Sequence, residues 1–173
     1  MKGKKLKIIE FGNPLLREKA KPVTVFHKKL NLLIDSLAET LYASDDGAAL
    51  AATQVAEMKR ITVIDYENEY FEMVNPEIIE SSGEQIDKEG CLSFPGYYGM
   101  VKRYDKVKVK YNDRNGAEHL IERSGKMARC IQHEVDHLDG ILFIDRMVED
   151  TLVHNETKEK ISLETALKIA NRE

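Results

Sequence analysis

Gln132-His133-Glu134-Val135-Asp136-His137 is the stretch on which the reading of this chain turns. On a helix advancing about 100° per residue, His137 falls about 40° from His133, and Glu134 about 100° from it. Two imidazoles so placed can grip one metal ion, while the carboxylate flanks it as a base and not as a ligand. Met127, Ile131, Val135 and Leu138 gather on the other side, at about 120–200°. A helix with a metal side and an apolar side has to be covered twice, so it belongs in the middle of a domain. It is expected to run from about Lys126 to Leu138, behind Gly125, and to close with Gly140 at C′.

A catalytic site of this kind needs a third protein ligand and an open position. Cys130 shares the histidine face, but an ion between the histidines lies level with residue 135, about 7.5 Å further along the axis. A cysteine side chain is too short for that reach, so Cys130 reads as core. Cys91, in Glu89-Gly90-Cys91-Leu92-Ser93, sits where a glycine permits close backbone approach, and it is the candidate third ligand. The pattern also begins like HExxHxxGxxH, whose last position here is Phe143. Glu156 and Glu159 are at a workable distance for a downstream ligand but lie in a charged stretch. A zinc protease, or a non-catalytic metal- or peptide-binding relative, therefore stays as the alternative.

Further from the helix, Leu30, Leu33, Ile34, Leu37 and Leu41 recur at helical spacing, which predicts an amphipathic helix from His27 to about Ser44, ended by Asp45, Asp46 and Gly47. Asn13-Pro14 marks a short helix or turn that Pro22 limits. Between Arg60 and Lys88 the pattern turns to β-rich runs, Ile61-Val63-Ile64 and Tyr70-Phe71-Met73-Val74. A run from Val101 through Tyr111 alternates Val107, Val109 and Tyr111 with lysines. It meets Asp113-Arg114-Asn115-Gly116 before Leu120 and Ile121, a hairpin with an Asn-Gly turn. A last helix is expected from Ser162 to the C-terminus, packed on its own domain through Leu163, Ala166, Leu167 and Ala170. Segregated helices and antiparallel strands predict a single α+β domain, with the strands packed around the central metal-binding helix.

The 173 residues, 42% hydrophobic and 32% charged, suffice for one domain with a substantial core. A net charge of −4 with dispersed lysines and arginines argues against direct nucleic-acid binding. The N-terminus, Met1 to Ile9, lacks the apolar region of a signal peptide, and no stretch is long enough to span a bilayer, so a cytoplasmic location is expected. In a reducing compartment the two cysteines read as ligand and buried thiol, not as a disulfide.

Three motifs in order, GxGxAAxQ, EGCLS and QHExDH, are then visible as Gly47 to Gln54, Glu89 to Ser93 and Gln132 to His137. In these the chain resembles the peptide deformylase family, with one departure, Ala49 where glycine is usual. The resemblance implies the family's α+β fold and removal of the formyl group from the N-terminal formyl-methionine of nascent polypeptides, releasing formate. It implies one divalent ion held by Cys91, His133 and His137, typically Fe(II), with Zn(II), Ni(II) or Co(II) also able to occupy the site. Glu134 is implied as the proton carrier, and the Gln54 side-chain amide and Leu92 backbone N–H as donors to the oxyanion. The main chain of Gly47 and Ala48 would pair with the peptide as an added strand, with methionine in an apolar pocket beside the helix. If position 49 needs positive φ, alanine costs about 1 kcal/mol or more; if not, its methyl narrows the cleft. Asp136 either orients a ligand or the Cys91 loop, with Arg103, or is a solvated helix residue. Bacterial-type translation and at most a transient encounter with the ribosome complete what the resemblance implies.

Overall fold

Leu30, Ile34, Leu37 and Leu41 seat helix α1 (Lys28–Tyr42) on one face of an antiparallel sheet, and Met127, Ile131 and Val135 seat helix α2 (Gly125–Leu138) on the other. The computed structural model describes residues 3–44 and 47–171. Asp45 and Asp46 of the expected helix end, the last residues of the expected C-terminal helix, and Met1 and Lys2 lie outside these. The sheet comprises β1 (Ala49–Ala51), β2 (Ile61–Tyr66), β3 (Glu69–Ser82), β6 (Lys106–Asn112) and β7 (Glu118–Ser124), in that spatial order. Because it is covered on both faces, β2 reads as a continuous apolar run: Ile61 and Val63 point to α1, Thr62 and Ile64 to α2.

The second sheet joins β4 (Gln85–Cys91), β5 (Phe94–Arg103), β8 (Thr151–His154) and β9 (Lys160–Ser162), again all antiparallel. Phe94, Val101 and Leu152 from it pack with Phe143, and with Ala166 and Ala170 of helix α3 (Leu163–Asn171). Ser162 caps α3, its Oγ accepting from the Thr165 N–H at 3.1 Å. No helix among the described residues is long and apolar enough to cross a membrane.

Local chemistry sets the helix ends. His27 is the N-cap of α1, its Nδ1 accepting from the Leu30 N–H at 3.1 Å, and Asn13 caps a single 3-10 turn at Pro14–Arg17. At the end of α2 the Ile141 N–H donates to the Asp136 carbonyl and the Gly140 N–H to that of His137, a Schellman closure with Gly140 at φ +72°. The same glycine is needed for space, since an added Cβ would lie 2.3 Å from the Arg17 carbonyl oxygen.

One strand expectation needs correction. The run from Val101 to Tyr111 is not one strand: β5 ends at Arg103 in one sheet and β6 starts at Lys106 in the other. The chain crosses between sheets at Tyr104 and Asp105, where alternation alone gives no signal. The expected Asn-Gly hairpin joins β6 and β7, with positive φ only at Gly116 of its Asp113–Ala117 turn, and a tighter turn with positive φ at both Glu67 and Asn68 (+53° and +64°) joins β2 and β3.

Candidate metal centre

α2 lies between the two sheets, and its polar side faces the hairpin of β4 and β5. His137 is 1% exposed and Glu134 3% exposed, so groups that would ordinarily be hydrated are held inside the protein. The Cys91 Sγ, at the end of β4, stands 3.2 Å from His137 Nε2, which is itself 3.2 Å from His133 Nε2. All three donor atoms lie within 4.8 Å of one another, the sole such group of histidine, cysteine and carboxylate donors among the described residues. Donors around a tetrahedral ion at ordinary Zn–N and Zn–S lengths stand about 3.3–3.6 Å apart, so this set fits a divalent metal. A thiolate with two imidazoles suits several borderline metals and does not choose among them.

The third-ligand alternatives fall elsewhere. Cys130 belongs to none of these contacts; it is half-buried in the cleft wall, and burial pushes its thiol well above the usual range. Phe143 does lie by the centre, its ring centroid 6.2 Å from that of His133, but it offers only carbon. Glu156 and Glu159 are exposed in the turn between β8 and β9.

Orientation comes from residues that periodicity did not single out. The Glu89 carboxylate accepts from Arg103 Nε and Nη2 at 2.9 Å each and from Arg129 Nη1 at 2.7 Å, and it meets His133 Nδ1 at 2.9 Å. With Nδ1 so engaged, Nε2 is the nitrogen left toward Cys91 and His137. Burial works to raise the Glu89 carboxyl, but hydrogen bonds from Arg103 and His133 and their charges hold it well below the usual carboxylate range. Arg103 also pairs with Asp136, which takes Arg146 as a second partner at 3.0 Å, so Asp136 belongs to this network and is not a solvated residue. Two spacings carry the signal in retrospect: Glu89 is two residues from Cys91 along a strand, and Arg129 is one helical turn before His133.

On the other flank, Glu134 Oε2 accepts from Thr62 Oγ1 at 3.2 Å. Burial is the main cause that pushes the Glu134 carboxyl up to about 7, so it can both take and give a proton near neutrality. Burial, then the neighbouring His133, pushes His137 well below the imidazole range, toward the neutral form that ligates. Gln54 is 1% exposed; its Oε1 accepts from the Ala51 N–H at 2.9 Å, which turns Nε2 toward Ser93 Oγ at 3.2 Å and Cys91 Sγ at 3.5 Å.

A cleft of about 660 Å³ opens on this cluster. Gly47, Ala48 and Ala49 line one wall and Gly90, Cys91 and Leu92 another, with His133, Glu134 and Gln54 at the buried end. Ala49 opens β1, an outer strand of the five-stranded sheet that pairs with β2 on one side only, and Ala48 just before it accepts from the Asp65 N–H at 2.9 Å. Ala49 does not take positive φ and is in regular pairing with Ile64, so its methyl carries no backbone strain and occupies cleft space. Gly47 has no such room, because a Cβ there would lie 2.7 Å from Leu41 Cδ1.

The profile of the polypeptide deformylase family matches residues 5–152. A peptide deformylase of Heliobacterium modesticaldum is 51% identical over 143 residues, covering 83% of this chain and 94% of that one. Another, from Halothermothrix orenii, is 51% identical over 145 residues, again 83% and 94%. Among solved structures, the peptide deformylase from Thermotoga maritima superposes with a TM-score of 0.81 at 42% identity, over 84% of this chain and 99% of that one. The enzyme from Synechococcus elongatus in complex with actinonin gives 0.81 at 38%, over 94% and 84%. With its three motifs brought to one cleft and these likenesses running over most of its length, the chain belongs to the polypeptide deformylase family.

Proposed function

We propose that this chain is a peptide deformylase, one catalytic domain that hydrolyses the N-formyl amide of formyl-methionyl nascent peptides and releases formate. The observation that carries the reading is the convergence of Cys91, His133 and His137 at the buried end of a cleft that also presents Glu134 and Gln54. When bound, a divalent metal supplies Lewis acidity toward water and the formyl oxygen. Iron(II) is the ion we favour on family grounds, with zinc, nickel or cobalt compatible with the same donors.

The chain's own groups do the rest. Glu134 takes the proton of the attacking water and returns one to the leaving amine, a role its raised carboxyl suits. Gln54 Nε2, aimed by the Ala51 contact, and the Leu92 backbone N–H receive the charge that develops on the formyl oxygen, each worth about 3 kcal/mol in the transition state. Gly47, Ala48 and Ala49 offer a strand edge to an extended peptide. Such a substrate places the enzyme in the cytoplasm of cells with bacterial-type initiation, in transient contact with the ribosome at most.

Protein purified without oxygen and loaded with Fe(II) is expected to release formate from formyl-Met peptides and not to cleave acetylated or unblocked controls. Glu134→Ala should keep the metal and lose at least about 100-fold in kcat. Cys91→Ser should lose the metal, whereas Cys130→Ser should keep both metal and activity. Retention of full activity by Glu134→Ala, or metal loss on replacing Cys130 alone, would overturn these assignments.

A further inference from the structure

The family profile ends at residue 152, yet the chain that follows reaches the cleft. Three residues of β5, Pro95, Gly96 and Tyr97, bulge out of the β4–β5 ladder between the pairs Cys91–Phe94 and Gly90–Tyr98, and all three line the cleft. The hairpin of β8 and β9 holds that bulge from behind. Tyr97 pairs with His154, whose ring meets it edge-on at 5.0 Å, and the Asn155 N–H donates to the Gly96 carbonyl at 2.7 Å. Gly96 takes φ +83°, and a Cβ there would lie 3.0 Å from His154 Nε2. The turn is held in its own right, since His154 Nδ1 accepts from the N–H groups of Glu156 and Thr157 at 3.3 and 3.2 Å. Asn155 is thereby carried to the cleft mouth on a fixed backbone, and its carboxamide makes no hydrogen bond to another described residue.

Burial gives the cleft a direction. Glu134 and Gln54 at one end are nearly inaccessible, whereas Pro95 and Asn155 are exposed. A peptide that enters by its N-terminus puts its first residue at the buried end and its later residues at the mouth. At about 3.3 Å per residue in extended form, the third and fourth residues lie about 7–10 Å on.

We propose that Asn155 is a specificity-determining residue that hydrogen-bonds the substrate at its third or fourth residue, through the carboxamide that the β8–β9 hairpin sets at the cleft mouth. The proposal rests on the deformylase reading above. One added hydrogen bond at an exposed site changes affinity by about three- to tenfold. Its signature is confined to KM, because the contact is made equally in ground and transition states.

The test compares metal-loaded wild type, Asn155→Ala and Asn155→Asp on formyl-Met-Ala, formyl-Met-Ala-Ser-Lys and formyl-Met-Ala-Ser-Glu. Asn155→Ala should raise KM about three- to tenfold on the two tetrapeptides, with kcat unchanged and the dipeptide unaffected. Asn155→Asp should favour the lysine peptide over the glutamate peptide relative to wild type. A wild-type ratio of tetrapeptide to dipeptide KM in Asn155→Ala overturns the proposal. So does an equal change on all three substrates, which would mean a loosened hairpin. Absence of formate release by wild type from every peptide is a different failure, that of the deformylase reading itself.

Discussion

Glu89 gathers two guanidinium groups and one imidazole around a single carboxylate that is 7% exposed. A neutral amide at this position keeps the shape, but it no longer balances two buried arginines and no longer prefers the His133 tautomer with Nδ1–H. Glu89→Gln is therefore expected to weaken metal affinity by about 10–100-fold, read by competition with a coloured chelator, while kcat per bound metal changes far less. An affinity equal to wild type would remove Glu89 from the orienting role. Its neighbour Cys91 could be singled out from sequence because a metal site demands a donor at a reachable place. Glu89 carries no such demand, because its partners Arg103, Arg129 and His133 come from two other elements, and only Arg129 and His133, one helical turn apart, share a spacing.

At the scale of elements, the Schellman closure of α2 fixes both the end of the helix and the approach of the Pro14–Arg17 turn. Alanine at Gly140 would have to hold φ near +72° and place a methyl against a backbone carbonyl that cannot move aside alone. Gly140→Ala should cost about 2–4 kcal/mol, so the urea midpoint of the metal-loaded protein should fall by about 1 M or more. A shift under about 0.3 M would show that the close approach relaxes freely. This glycine was legible as a C′ residue, as were α1, α2, the cap at Asn13 and the β6–β7 hairpin, because each is written in local periodicity or turn chemistry. β3 and β4 were not. β3 goes on to 14 residues through Pro76 and two register shifts, and the polar side chains of β4 find their partners outside the strand, Glu89 on Arg103 and Gln85 on the Tyr104 carbonyl, so neither alternates cleanly.

Across the whole molecule, α2 is the joint between two sheets of different chemistry. Its apolar side is packed against the five-stranded sheet, while its polar side is tied to the four-stranded sheet through Glu89, Arg103 and Asp136. Buried ion pairs are costly to desolvate and contribute little net stability, so the second attachment needs another contribution. A metal held by Cys91 of β4 and by two histidines of α2 would supply it, because the ion bonds across that same seam. Binding to the folded state alone stabilises it by about 2.7 kcal/mol at a free metal concentration 100 times Kd. For a domain of this length each kcal/mol moves Tm by about 2–4 °C, so chelation should lower Tm by about 5–10 °C, and restored metal should recover it. Cys91→Ser, lacking the sulfur on the β4 side, should melt at the lower temperature and respond little to either treatment. If chelation abolishes formate release in the wild type while leaving Tm where it was, the ion is a reagent only, and the two sheets are held together by protein contacts alone.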